Sequence, residues 1–149
     1  MKLKILLLII LFTSLVGCGM KYPELEDDAI AFEASSYTDE NDEGYLRIEY
    51  QGRIYMPYGT LKGVLKEENL NKCIGYIIED ENISAVVNRD SKATRVYTLN
   101  EDSENNYLMI YYIESQVMNQ PSFWRAIDTR NQNIKTPNYI DSLNYDYWK

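Results

Sequence analysis

Carboxylates are the residues of this sequence whose placement could support chemistry. Glu79, Asp80, Glu114 and Asp128 lie near the ends of predicted strands. Two of them could face each other across a cleft, as in glycoside hydrolases, where the paired groups stand about 5 to 10 Å apart. Acidic side chains are also the ordinary occupants of a solvated surface. The pattern leaves both interpretations open.

Other catalytic and metal-binding chemistry is limited by composition. The chain contains no histidine, which excludes Ser-His-Asp and Cys-His nucleophiles and histidine metal clusters. Cys73 stands beside Ile74, which predicts a buried thiol without an activating base. Residues 39–44 resemble part of a calcium loop, but Tyr50 occupies the position of the bidentate glutamate. We therefore expect no metal, no cofactor and no catalytic residue, and predict that the protein is not an enzyme.

The chain is rich in aromatic residues, with 14 tyrosines and 2 tryptophans. Aromatic side chains at strand spacing mostly pack in cores and on sheet faces. The alternative is a binding platform, in which Tyr55, Tyr111, Trp124 and Trp148 stack on sugar rings or contact a peptide. These four are the predicted ligand-binding residues, and the sequence does not decide between platform and core.

Charge indicates the kind of partner. The net charge of the 149 residues is −8. Residues 1–17 contain Lys2 and Lys4 and no acid, so the remainder has 13 basic and 23 acidic side chains, a net charge of −10. A surface of this sign disfavours nucleic acid and attracts cationic partners such as basic peptides.

The first 17 residues are typical of a secretion signal. Lys2 and Lys4 precede an apolar run over residues 5–16. That run has about 12 residues, whereas a membrane-spanning helix needs roughly 20. We therefore predict a signal peptide over residues 1–17 rather than a permanent transmembrane anchor.

The end of this run, Leu15-Val16-Gly17-Cys18, resembles the lipobox of bacterial lipoprotein precursors at every position. The resemblance covers the first 18 residues. It implies that Cys18 becomes the mature amino terminus and receives a diacylglyceryl group, whose buried CH₂ groups each contribute about 0.8 kcal/mol to membrane binding. The alternative is an ordinary signal peptide followed by an unrelated cysteine.

An extracytoplasmic, lipid-anchored location follows from this resemblance. Gly19 follows Cys18, so the aspartate associated with inner-membrane retention in Gram-negative bacteria is absent. The abundance of Lys, Asn, Ile and Tyr indicates an AT-rich genome. In a Gram-positive host, the protein would lie at the outer face of the cytoplasmic membrane.

The mature chain divides into two predicted parts. Residues 18–44 carry nine acids against the single base Lys21, which favours a solvated flexible tether. A short helix over residues 27–34 is the alternative. Residues 45–149 form the predicted β-rich globular domain.

The domain is expected to begin with a β-hairpin over residues 45–58. We expect a three-residue loop ending in a left-handed Gly52, a register that pairs Ile48 with Ile54. One face would then bury four apolar side chains, which are Leu46, Ile48, Ile54 and Met56. A two-residue loop would mix apolar and charged residues on each face.

Short apolar runs predict the remaining elements. Further strands are predicted over residues 73–78, 83–87, 95–99, 107–113 and 123–127. Thr60 is expected to cap a short helical turn, and Thr136-Pro137 to begin a second one. The last residues, from Tyr145, either dock on the core or form an exposed aromatic tail. The fold class is mainly β, a single small antiparallel sheet or barrel-like domain with short helical additions.

Together these features predict a non-catalytic lipoprotein that binds a ligand or partner outside the membrane. A cationic peptide or an envelope protein is the expected partner. Small lantibiotic-immunity lipoproteins are similar in size, anchor and β-rich character. The alternatives are a structural or accessory subunit of an envelope complex, and a carboxylate-based glycan hydrolase.

Overall fold

The computed structural model describes residues 20–39, 43–78, 94–112 and 120–149. The protein is mainly β: of the described residues, 55% lie in strands and 9% in helical turns. The predicted fold class is confirmed. One curled mixed sheet forms a half-barrel, and its helical additions are single turns.

The strands of the described residues are β1 (Leu25–Glu33), β2 (Ser35–Thr38), β3 (Gly44–Tyr50), β4 (Arg53–Leu61), β5 (Leu70–Ile78), β6 (Thr94–Leu99), β7 (Tyr107–Tyr112), β8 (Ser122–Ala126) and β9 (Ile140–Ser142). Turns of 3-10 helix cover Glu67–Asn69, Ile127–Thr129 and Asp146–Trp148.

The order of strands across the sheet is β1-β5-β6-β7-β8-β4-β3-β2, and β9 pairs with the end of β4. The pairs from β5 round to β2 are antiparallel, whereas β1 is parallel to β5. The connection from β1 to its parallel neighbour therefore runs through β2, β3 and β4. Since β1 and β2 are consecutive in the chain, the sheet curls until its two ends meet.

The interior of the curl is filled by one cluster of strand side chains. This interior cluster consists of Phe32, Ile48, Tyr55, Ile74, Ile77, Val96, Leu108, Ile110, Trp124 and Ala126. Phe32 and Ile48 come from opposite ends of the strand order, so their shared cluster must lie inside the curl. Gly75 allows this closure, because a side chain there would collide with the Ile30 carbonyl and the Phe32 ring.

The other face of the sheet is covered by connecting segments. Its cluster consists of Leu65, Leu70, Cys73, Tyr97, Leu99, Tyr107, Met109, Phe123, Tyr139 and Ile140. Met20, Tyr22 and Leu25 pack on this outer cluster from the amino-terminal side, and Ile134 packs on it from the carboxyl-terminal side. Burial on both faces explains why β7 is apolar along its whole length.

The tether prediction for residues 18–44 is wrong over most of its described length. Residues 25–33 form β1, and residues 35–38 form β2. Four of the nine acids lie in β1, where Asp27, Asp28 and Glu33 are exposed, while Phe32 is buried. The alternative helix over residues 27–34 is wrong for the same reason.

The predicted hairpin is present, but its predicted register is wrong. Ile48 pairs with Tyr55, and Tyr50 pairs with Arg53, so the loop has two residues. Leu46 is 53% exposed, whereas Ile48 is 1% exposed. Tyr55 and Met56 are adjacent in β4 and both fully buried, so both faces of the strand are covered there. Face alternation therefore does not select the register.

The other element predictions have mixed outcomes. Four of the predicted strands correspond to β5, β6, β7 and β8 within a few residues, while the one over residues 83–87 lies outside the described residues. Both helical predictions are wrong. Thr60 lies within β4, and the chain after Thr136 makes a turn and then forms β9.

Candidate functional site

Two of the four predicted ligand-binding aromatics lie in the interior cluster. Tyr55 is fully buried, and its hydroxyl donates to the Asn105 carbonyl at 2.6 Å. Burial raises the pKa of Tyr55 to about 12. Trp124 is also buried, and its Nε1 donates to Ser122 Oγ at 3.1 Å. Neither ring is available as a surface platform, so the platform prediction is wrong for both.

The other two aromatics lie at separate places outside the curl. Tyr111 is half-buried against the outer cluster and stacks on Tyr22, with ring centroids 4.8 Å apart. Trp148 is half-buried near the carboxyl terminus, where its Nε1 donates to the Pro57 carbonyl at 2.7 Å. The fold does not bring the four predicted residues together.

Trp148 belongs to an aromatic cage that the protein fills with its own cation. The Arg125 guanidinium lies 5.2 Å from the Trp148 ring and 5.3 Å from the Tyr58 ring. Arg125 is buried and donates to the Thr129 side chain and carbonyl at 2.8 and 2.5 Å. This arrangement docks the carboxyl-terminal residues on the sheet and leaves the cage occupied.

The predicted acid–base residues are only partly described. Glu79, Asp80 and Glu114 lie outside the described residues, as does the predicted lipidation residue Cys18. Asp128 accepts two hydrogen bonds from Arg53, at 2.9 and 2.8 Å. The same guanidinium donates to the carbonyls of residues 104 and 105. Arg53 therefore joins the β3–β4 hairpin both to Asp128, which follows β8, and to the β6–β7 turn.

Asp102, a buried acid, also has a structural role. Asp102 Oδ2 accepts from the Tyr107 backbone N–H at 2.6 Å, and desolvation raises the pKa of Asp102. Cys73 is buried, and burial raises the pKa of its thiol. Among the described residues, no three metal-ligating side chains converge. These groups maintain the fold.

A groove opens where the two ends of the curled sheet meet. β1 pairs with β5, and after Ala34 the chain continues as β2, which pairs with β3 at the other end of the sheet. This crossing leaves a wedge between β1 and the part of β3 beyond Arg47. We call it the edge groove. It has a volume of about 340 Å³ and is lined by Ile30, Ala31, Phe32, Glu33, Ser35, Arg47, Ile48, Glu49 and Ile54.

The floor of the edge groove is apolar. Phe32 and Ile48 belong to the interior cluster. The Phe32 ring contacts the Tyr50 ring edge-on, with centroids 6.1 Å apart. Ile30 is 41% exposed, although its neighbours in the groove are apolar. Phe32 and Ile48 are buried, so the uncovered apolar surface of the groove is that of Ile30 beside the core.

The rim of the edge groove is predominantly acidic. Glu33 and Glu49 are exposed on its two sides. The exposed Asp28 lies near enough to Tyr50 to raise the pKa of that phenol further, after burial as the main cause. Arg47 is the base in the lining, and its Nε donates to Ser35 Oγ at 2.9 Å. The lining therefore holds two acids and one arginine, a net negative charge that favours cations.

A second cavity, of about 360 Å³, lies on the outer side of the sheet. It is lined by Lys21, Tyr22, Pro23, Glu24, Glu67 and Leu70. It has the same balance of two acids and one base as the edge groove, but it is formed by the amino-terminal segment packing on a covered face. The edge groove differs because strand edges form its walls, and we take it as the candidate site.

Sequence reasoning missed this site because it assigned one wall to a tether. Ile30 and Phe32 alternate with Ala31 and Glu33, which is the period of a strand. That short alternation was available as a signal, but the surrounding acids indicated a solvated segment.

The chain matches no known protein-family model, no curated protein and no solved structure. No helix within the described ranges is long and apolar enough to cross a membrane. The geometry of the edge groove is therefore the observation on which function is argued.

Proposed function

We propose that the protein is a non-catalytic binding module, held by a lipid on Cys18 at the outer face of the membrane, and that it binds cationic peptides. The observation that carries this proposal is the edge groove, with its apolar floor and acidic rim. Its volume of about 340 Å³ is within the range of ligand pockets, roughly 300 to 1,000 Å³.

We expect charge to act both at long range, through the net charge of the protein, and at short range, through the two glutamates of the groove. The net charge of −10 that remains after residues 1–17 concentrates basic peptides near the surface and raises their rate of association. Glu33 and Glu49 act locally, because they flank the groove. Contact with the exposed Ile30 then contributes a term that salt does not screen, because it buries apolar surface.

The lipid anchor would hold the domain directly at the membrane surface. Met20 packs on the outer cluster, and only Gly19 separates it from Cys18. Two peptide units extend at most about 7 Å. The domain would therefore have little freedom to move away from the bilayer, in contrast to a module on a long tether.

The anchor is tested by metabolic labelling with a fatty-acid probe in the producing cell. Wild type should be labelled, and Cys18→Ala should not. Cys73→Ala is the matched control and should keep the label, because that thiol is buried in the fold. Equal labelling of wild type and Cys18→Ala would contradict lipidation at this residue.

The groove is tested by binding of a fluorescent Val-Lys-Val-Lys-Val-Lys peptide to the full-length protein in neutral detergent micelles. Affinity should fall from low to physiological salt, since the attraction is partly Coulombic. Glu49→Lys should weaken binding about tenfold, a change of about 1.4 kcal/mol. Asp141→Lys makes the same change of net charge on exposed β9, outside the groove, and should have a smaller effect.

Equal losses for the two variants would show that the overall field, rather than the groove, attracts the peptide. Absence of measurable binding at low salt would refute a cationic-peptide receptor.

A further inference from the structure

We propose, building on the function proposed above, that the peptide binds as an added β-strand on the free edge of β1. The partner class is then narrower than a cationic peptide. It is an extended segment in which apolar and basic residues alternate.

The first support is the edge of β1 that faces away from β5 over residues 30–33. In the sheet order, β1 is a terminal strand, with β5 as its one partner among the described residues. The Ile30–Glu33 part is in regular register with residues 75–78 of β5. In a β-strand, alternate N–H and C=O groups point to opposite sides, so half of those of residues 30–33 point away from β5. An extended peptide satisfies such groups by strand addition.

The second support is that the facing wall is also a strand edge. β2 covers β3 from Gly44 to Arg47. Beyond Arg47, the edge of β3 opposite β4 has no strand partner within the described residues. The groove therefore ends at the Ser35–Arg47 pair, and the edge of β3 without a strand partner begins at Ile48. Residues 30–33 give a paired length of about 13 Å at 3.3 Å per residue, enough for about four peptide residues.

The third support is the alternation of side chains along β1. Phe32 lies in the interior cluster, and Glu33, the next residue, is exposed. Paired strands place their side chains on shared faces. Every second residue of an added strand would therefore face the apolar floor, and the intervening residues would lie beside Glu33 and Glu49.

The same charges disfavour a second copy of this chain as the occupant. Two β1 edges brought together would bring Asp28 and Glu33 of each copy near one another, and like charges on paired strands are destabilising. Acidic residues on an exposed edge are a known protection against self-association. A basic strand meets no such barrier.

The test compares three peptides of equal charge on the full-length protein in neutral detergent micelles. The first is Val-Lys-Val-Lys-Val-Lys, and the second is the isomer Val-Val-Val-Lys-Lys-Lys. The third is the alternating peptide N-methylated at every second residue, made in two versions that carry the methyl groups on the valines or on the lysines. Hydrogen exchange of the amides of residues 30–33 is followed by NMR with and without the alternating peptide.

Strand addition predicts that the alternating peptide binds at least tenfold more tightly than its isomer. At least one of the two N-methylated peptides should bind at least tenfold more weakly than the unmethylated alternating peptide. Alternate amides within residues 30–33 should exchange at least fivefold more slowly in the complex.

Equal affinity of all three peptides, together with unchanged exchange in β1, would overturn strand addition while leaving the cationic-peptide function intact. Failure of every peptide to bind would overturn both. Loss of binding in Glu49→Lys with no preference for alternation would also reject the added strand, because it would leave charge as the single determinant.

Discussion

At the scale of single residues, burial decides what each side chain can do. Tyr55 and Trp124 were predicted to bind ligand because aromatic rings suit stacking, but both lie in the interior cluster. Asp128 was a candidate acid and instead pairs with Arg53. Residue type limits the possible roles, and the role itself depends on which groups surround the side chain.

Asp102 and Asp128 are expected to change the stability of the fold in opposite directions as the pH falls. Burial raises the pKa of Asp102, whereas the Arg53 hydrogen bonds lower the pKa of Asp128. An unfolded aspartate titrates near about 3.9. As pH falls, folded Asp102 takes up its proton before the unfolded chain does, so its contribution to stability rises. For Asp128 the unfolded chain takes up the proton first, so its contribution is lost.

Urea unfolding of wild type, Asp102→Asn and Asp128→Asn between pH 7 and pH 3 measures these contributions. The wild type should gain free energy of unfolding relative to Asp102→Asn as pH falls towards 4. It should lose its advantage over Asp128→Asn as pH falls below that value. The second effect should be small, because the Asp128 side chain is 57% exposed. Parallel pH profiles for all three proteins would contradict the assigned causes.

At the scale of elements, the conformation of the turn accounts for the register of the β3–β4 hairpin, which the alternation of side chains along the strands does not select. The two loop residues of the β3–β4 hairpin, Gln51 and Gly52, have φ of 52° and 73°. Positive φ at both positions is the signature of a type I′ turn, whose twist matches that of paired strands. Gly52 adopts this conformation freely, but Gln51 does so at a cost.

Substitution at Gln51 should therefore change stability in both directions. Gln51→Asn should raise the free energy of unfolding by about 0.5 kcal/mol, because asparagine is favoured at this turn position. Gln51→Val should lower it by about 1 to 2 kcal/mol, since a β-branched residue tolerates a left-handed conformation poorly. Urea denaturation at pH 7 measures both. Equal stability of the Asn and Val variants would argue against the two-residue loop.

At the scale of the whole molecule, the amino-terminal segment is part of the domain. β1 is one end of the sheet order, and its Phe32 fills the interior beside Gly75. Leu25 pairs with Cys73, and Met20 packs on the outer cluster. These contacts join residues 20–33 to both layers of the core.

Removal of this segment should therefore be strongly destabilising. A chain that begins at Gly44 lacks β1 and β2, and loses Phe32, a residue type whose loss from a core costs about 3 to 5 kcal/mol. A chain that begins at Gly19 keeps them and should unfold in one cooperative transition. Urea unfolding followed by tryptophan fluorescence compares the two. Equal midpoints would restore the interpretation of residues 18–44 as a tether.

The sequence by itself determined that the protein is mainly β and where its central strands lie. Residues 73–78, 95–99, 107–113 and 123–127 are short apolar runs bounded by turn residues, and that local signal predicted β5 to β8. The net negative charge was also evident from the sequence, and it predicted cationic partners. The residues that form the groove were not identified.

Only the tertiary structure decided the hairpin register, the strand character of β1 and the place of the groove. Alternation selects a register when one face is buried, but β4 is buried on both faces at Tyr55 and Met56. β1 is stabilised by a parallel partner more than 40 residues away, Ile30 with Gly75, which no local pattern encodes. The groove exists because the curl brings the two ends of the sheet together, and that is a property of the closed sheet rather than of any segment.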